Sequence, residues 1–320
     1  MANAVPLVEL WRGDLLESQH LGHVAVYHAD DGLVDGHGDT GAVIYPRSSC
    51  KILQALPLMR SGAAKRARLT SEQLALACAS HQGAAIHTDR VTAWLKDMGL
   101  GNDDLRCGPQ APADIPARDG LIKADQRPCR IHNNCSGKHV GFLTLAQDMK
   151  AGPEYHLIDH PVQIAIKAAH EEMTEEVSPN FGIDGCSAPN HACTVTGLAR
   201  AMAKCAASMG IEGELRDAMM MHPDLVAGET RACTELMRAV PGVALKTGAE
   251  AVYTAMIPDR KIGIALKIVD GSTRGAEAVI AQLLINMGLL DAAHPAALKR
   301  VGGPLVNFAG LEVGRTVAVI

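Results

Sequence analysis

The sequence predicts an α+β fold, a largely antiparallel sheet packed with helices and carrying an inserted helical block. Three observations predict it. Strand-like segments fill the first forty-odd residues, helical periodicity runs from Ser48 to about Arg238, and strands return after Pro241. The chain reads as one unit over residues 1–320, with a sheet layer at about 1–46 and 240–320 and a helical block at about 47–239.

Val5–Leu10 and His23–His28 are apolar and partly alternating, the pattern of half-buried strands. Asp30-Asp31-Gly32 lies between His28 and Leu33 as a hairpin turn signal. Pro46 marks a helix start, and Pro57 is expected to end or kink that helix. Thr70 and Gln73 form a capping box ahead of Leu74-Ala75-Leu76-Ala77. Pro161 opens a helix from Val162 to Glu175. Leu198, Met202 and Cys205 mark another, capped by Thr196. Strands follow at Val243–Leu245, Val252–Ile257 and Ile262–Val269, the last two joined by the turn Pro258-Asp259-Arg260-Lys261. A helix from Glu277 to Met287 shows Val279, Ile280, Leu283, Leu284 and Met287 on one face, and Thr316–Ile320 reads as a last strand.

Composition narrows the function. The chain is 48% hydrophobic and 20% charged with a formal net charge of −5, and it shows no basic patch, which argues against a nucleic-acid partner. Aromatics are 3%, so the core is packed from Ala, Leu, Val, Ile and Met. No run approaches the roughly 18 apolar residues of a membrane-spanning helix. The opening Met1-Ala2-Asn3-Ala4-Val5 lacks the basic-then-apolar pattern of a signal peptide, so a cytoplasmic protein is expected. Nine cysteines without a C-x-x-C then read as reduced thiols.

Arg47-Ser48-Ser49-Cys50-Lys51 carries the chemistry. Ser48 and Lys51 fall one helical turn apart on one face. A serine hydroxyl needs a base, and a lysine serves only when neutral, which takes burial or a neighbouring cation. At average usage of roughly 6% for each residue, a Ser-x-x-Lys arises about once by chance in a chain this long, so the motif alone assigns nothing. A second element follows: Lys246-Thr247-Gly248 after the strand-like Val243-Ala244-Leu245. Serine β-lactamases and penicillin-binding proteins use Ser-x-x-Lys, a middle serine, then Lys-Thr-Gly in that order. Ser80 is available as the middle serine, although His81-Gln82 follows it in place of Asp-Asn. If the chain leaves the sheet near Ser48 and returns near Lys246, both can face one cleft.

Cys135 follows the polar turn His132-Asn133-Asn134, and Cys186 sits in the turn Gly182–Pro189. Two thiolates from two loops suit Zn²⁺, yet two cysteines do not make a four-ligand site, and buried free cysteines are commonly small core residues.

Several segments together resemble the class 3, rhizobial-type L-asparaginases. They are Arg47–Lys51, Cys78–His81, Asn134-Cys135-Ser136-Gly137-Lys138-His139-Val140-Gly141, Asp184-Gly185-Cys186, His222–Glu229 and Lys246–Ala249, and the resemblance spans about residues 8 to 290. It implies a fold related to serine β-lactamases and glutaminases and a homodimer. It implies two Ser-Lys pairs, Ser48 with Lys51 and Ser80 with Lys246. It also implies zinc held by Cys135, Lys138, Cys186 and water. Asp184 matches an acidic residue that organises the metal and substrate region, and His139 and Arg47 are assigned with it to substrate binding; Arg47 suits a bidentate carboxylate contact and equally an exposed arginine before a helix. Towards its C-terminal end the chain looks shorter than some relatives, which leaves the last strands and any dimer contacts there outside the resemblance. The expected reaction is hydrolysis of L-asparagine to L-aspartate and ammonia, with zinc aiding substrate binding. The rivals are a β-lactam hydrolase or penicillin-binding enzyme, and a zinc-dependent amino-acid binding protein without turnover.

Overall fold

The computed structural model describes residues 3–320 and divides the chain into two compact units. The first takes the stretch up to Ser49, Cys193–Ala207 and Glu235–Ile320; the second takes Cys50–Ala192 and Ser208–Thr234.

The first unit is built on an eight-stranded sheet. Its strands are β1 (Val5–Arg12), β2 (Leu15–His28), β3 (Gly32–His37), β4 (Ala244–Gly248), β5 (Val252–Ile257), β6 (Ile262–Ile268), β7 (Pro304–Val306) and β8 (Glu312–Ala318). Their order is β7-β8-β1-β2-β6-β5-β4, with β3 paired to β2, and the pairings are antiparallel. The N- and C-terminal strands therefore share one antiparallel sheet, as the order of elements implied. The β2–β3 turn falls at Asp30-Asp31-Gly32, where the backbone N–H groups of Asp30 and Asp31 donate to His28 Nδ1 and Gly32 takes φ +85°.

Two helices cover the sheet. Side chains alternate across a strand, and Gly263 of β6 lies on the face that also carries Ala265 and Lys267. A Cβ at Gly263 would fall 2.1 Å from Ala203 N and 2.2 Å from Ala199 O, so helix Val195–Ala207 rides directly on the backbone of β6. Helix Thr273–Asn286 takes the other face, where Gly275 meets His20 of β2. Helix Val195–Ala207 thus belongs with the sheet, whereas periodicity alone put it in the helical block. Its cap also differs from the expected one. Thr194 Oγ1 accepts from Gly197 N at 2.8 Å, and Thr196 instead donates to Thr40 O at 2.9 Å.

The second unit is helical. Helix Lys51–Arg60 buries every side chain from Lys51 to Leu58. It runs through Pro57 rather than ending there, because a single turn remains after the proline. That turn is closed by Ser61 N–H on Pro57 O and Gly62 N–H on Met59 O, with Gly62 at φ +80° ending the helix. Thr70 and Gln73 make the expected capping box, with Thr70 N–H on Gln73 Oε1 at 2.8 Å. Pro161 opens helix Pro161–Thr174, and Glu175 stops it at φ +55°.

Candidate functional site

The structure sorts the predicted residues into two sets. Arg47, Ser48 and Lys246 lie in the sheet unit, and Lys51, Ser80, Cys135, Lys138, His139, Asp184 and Cys186 lie in the helical unit.

In the sheet unit, Ser48 sits in a short 3₁₀ turn, Arg47–Cys50. Arg47 enters it at φ +52°, a left-handed conformation uncommon outside glycine. The turn is closed by Ser49, whose N–H and Oγ–H both donate to Pro46 O, at 3.2 and 2.6 Å. Gly248 is seated against it. A Cβ there would fall 2.8 Å from Pro46 O and 3.0 Å from Ser49 N, so the last residue of Lys-Thr-Gly must be glycine. Thr254 on the next strand places its hydroxyl between Ser49 O at 3.3 Å and Lys246 O at 3.2 Å. Lys246 pairs with Thr254, which pairs with Ala265, so Lys246 faces the side of the sheet covered by helix Val195–Ala207. It is 2% exposed, and its Nζ donates to Thr247 O at 2.7 Å.

In the helical unit, Lys51 is buried at the head of its helix. Its Nζ donates to Ala79 O and to Cys135 Sγ, the latter at 3.1 Å. Lys51 therefore ties the residue before Ser80 to the thiol cluster, a link that the Ser-x-x-Lys spacing did not foretell. Lys138 Nζ lies 3.2 Å from Cys186 Sγ, and the one Cys135 S–H has two acceptors in reach, Cys186 Sγ and, at 3.0 Å, Asn134 Oδ1. The hydrogen bond from Cys135, helped by the Lys138 and Lys51 cations, holds the Cys186 thiol well below its usual value despite burial. The same bond and burial push the Cys135 thiol up to about 12. Burial works against charge on Lys138, but Cys186, Cys135 and Asp184 outweigh it and raise its pKa. These shifts favour charge on the Cys186–Lys138 pair and keep the proton on Cys135.

Asp184 Oδ1 and Oδ2 each accept from Asn190 Nδ2 at 3.2 Å, and its backbone closes the turn around Cys186 through Ser187 N–H at 2.8 Å. His139 is buried, and desolvation with the Lys138 cation keeps it neutral. Its Nδ1 pairs with Tyr155 Oη at 2.9 Å. Tyr155 Oη already accepts from Arg106 N–H, so it donates to Nδ1 and leaves the proton on Nε2. That Nε2–H is buried without an acceptor.

Two buried thiols and an amine converge here, a donor set that fits zinc chemically. Among the described residues no group of three His, Cys, Asp or Glu side chains is placed to hold a metal. The third protein ligand would therefore have to be Lys138, after loss of a proton it now holds tightly.

Other residues shape this region without having been assigned a role in the site. His81 Nδ1 accepts from Gly83 N–H, so Nε2–H donates to Ser136 Oγ at 3.0 Å, and the ring stacks on His87 at 4.8 Å. Asn134 O accepts from His81 N–H at 3.1 Å, locking the Ser80 segment to the Cys135 turn. The His222–Glu229 motif acts through its backbone: Val226 O accepts from Ser80 N–H at 2.9 Å, and Gly228 at φ +111° lies against the Gln82 side chain.

The chain matches the family model described as L-asparaginase II over residues 8–318, and it belongs to that family. The match reaches into the C-terminal strands that the motif resemblance had left out. Membership supports amidohydrolase activity on a small-molecule amide. No curated protein matches the chain by sequence. Similar solved structures include Mglu in its native form, at 13% identity and TM-score 0.49, covering 85% of this chain and 66% of that one. A β-lactamase from Mycobacterium bovis is similar at 13% identity and TM-score 0.41, over 84% of this chain and 95% of that one. A probable glutaminase from Bacillus subtilis, complexed with 6-diazo-5-oxo-L-norleucine, is similar at 12% identity and TM-score 0.40, over 84% and 85%. No helix among the described residues is long and apolar enough to cross a membrane.

Proposed function

We propose that the chain hydrolyses the side-chain amide of L-asparagine to L-aspartate and ammonia with Ser48 as nucleophile. The observation that carries this reading is the seat of Gly248 against Pro46 O and Ser49 N, which sets the Lys246 strand against the Ser48 turn. Ser48 Oγ attacks the amide carbon, and Lys51, in its neutral form after losing a proton, accepts the hydroxyl's proton and passes one to the leaving ammonia. Water then cleaves the Ser48 ester by the same proton path and releases aspartate. Ser80 and Lys246 relay protons or hold the substrate, and Arg47 takes a carboxylate. His139 Nε2–H and Asp184 bind the substrate's polar groups.

Cys135, Lys138 and Cys186 are proposed to hold zinc. When bound, it would supply a Lewis-acidic position for the amino-acid end of the substrate. Ser48 already fills the nucleophile's role, so the ion is assigned to binding. All nine cysteines are free, which suits the reducing cytoplasm. Neither nucleic acid nor membrane is assigned as a partner. A homodimer completes the proposal, and sedimentation equilibrium tests it.

The deciding assay is ammonia release on mixing with L-asparagine. Ammonia and aspartate in equal amounts support the reading. Opening of a β-lactam without ammonia release favours the β-lactamase rival, and saturable asparagine binding without product favours the binding-protein rival.

A further inference from the structure

We propose that Lys267 is a positioning residue for the Lys246-Thr247-Gly248 strand, holding in place the strained turn that follows it. The inference rests on the role given to Lys246 above. Lys267 of β6 pairs with Val252 of β5, which pairs with Gly248 of β4. Directly opposed residues share a face. Lys267 therefore points to the side that carries Lys246 and the Ser48 turn, in the same cross-strand layer as Gly248.

The turn between β4 and β5 needs holding. Glu250 and Ala251 both sit at φ +56°, the left-handed region, and neither is glycine. Two such residues in succession persist only where their surroundings over-determine them. Lys267 Nζ donates to Glu250 O, and Ile268 N–H donates to Ala251 O at 3.1 Å. Gly271, at φ +79°, closes over the Glu250 carboxylate; a Cβ there would lie 2.9 Å from Glu250 Oε2.

Keeping an amine here is costly. Lys267 is 6% exposed; burial lowers its pKa, the Arg47 cation adds to the lowering, and Glu250 and Asp270 only partly offset it. A methionine would fill the space without that cost but could not donate to Glu250 O. The consequence reaches the nucleophile's turn because Gly248 has no slack against Pro46 O and Ser49 N. A turn that relaxes would draw Gly248 and Lys246 away from that seat.

The test uses the full chain with asparagine as substrate. In Lys267→Met, kcat/KM should fall about ten- to a hundredfold, as for a misplacement of about 1 Å. Amide hydrogen exchange over Glu250–Val252 should quicken, while zinc content stays at the wild-type level. Adding Glu250→Gly and Ala251→Gly to Lys267→Met should restore most of the activity, since glycine adopts the turn unaided. Wild-type kinetics and exchange in Lys267→Met would overturn the proposal. So would a folded, slow Lys267→Met that the glycines leave unimproved, because Lys267 would then act on substrate directly. If the wild type itself releases no ammonia, the functional reading fails, and the exchange measurements still decide whether Lys267 holds the turn.

Discussion

The Ser48 turn and the Cys186 cluster are organised differently. Around Ser48, position is set by close backbone contact: Gly248 fits where no side chain can, and a single Thr254 hydroxyl spans the two backbones. Around Cys186, position is set by charge: two thiols and two lysines lie within hydrogen-bond reach, and the Cys186, Cys135 and Lys138 protons are shifted by their neighbours. Steric seating does not respond to pH or metals. A cluster of shifted protons must respond to both. The region proposed for chemistry should therefore tolerate metal loss, and the region proposed for binding should not.

Lysine substitutions break this comparison hardest. Lys246→Met should lower kcat by about a thousandfold, within the range for loss of a proton-transfer group, and leave zinc content untouched. Lys51→Met should lose a similar factor and also part of its zinc, because Lys51 Nζ bonds Cys135 Sγ. Turnover assays paired with metal analysis check both. Equal zinc in the two variants would show that Lys51 does not support the cluster.

Zinc affinity should depend steeply on pH. The Cys186 pKa is pulled well below its usual value, but Cys135 and Lys138 have raised pKa values and each must lose a proton to bind. Below both values, binding releases two protons, so affinity rises by about a hundredfold per pH unit and falls as pH drops. Competition with a chelator between pH 6 and 8 checks the slope.

Cys135→Ala should lose most of the zinc, expected at about one per chain in the wild type. KM for asparagine should rise about tenfold or more while kcat changes little, the mark of lost ground-state binding. A collapse of kcat at constant KM would move the ion into the chemistry.

An effect apart from catalysis concerns acid stability of the helical unit. Burial lowers the His170 pKa from 6.5 to about 4, with His191 adding to the effect. The folded value is depressed, so the stabilisation is complete above pH 6.5 and is lost as pH falls from there towards 4. At ~1.4 kcal/mol per unit this is worth about 3 kcal/mol. Thermal unfolding between pH 7 and 4 should show it, and His170→Gln should flatten the curve.

The sheet was legible because β1, β2, β5 and β6 alternate or run apolar between strong turn signals such as Asp30-Asp31-Gly32. Helix Val195–Ala207 was misplaced because its period reports an amphipathic helix and not what it packs on. Only Gly263, an inconspicuous strand glycine, marks its landing site. The short pairings of Val43–Ile44 with Cys193–Thr194 and of Phe181–Ile183 with Pro189–His191 had too few residues to show a period. At the site, the reactive residue types stood out from motif order. The Lys51–Cys135 contact did not, because hydrogen bonds between residues 84 positions apart leave no trace in local spacing.

One measurement bears most directly on Ser48 as the nucleophile. Folded Ser48→Ala should carry wild-type zinc and bind asparagine, yet release ammonia at a rate near background, since removing one hydroxyl leaves the Gly248 seat and the Cys186 cluster intact. Near-normal ammonia release by that variant would contradict the account and pass the nucleophile's role to Ser80.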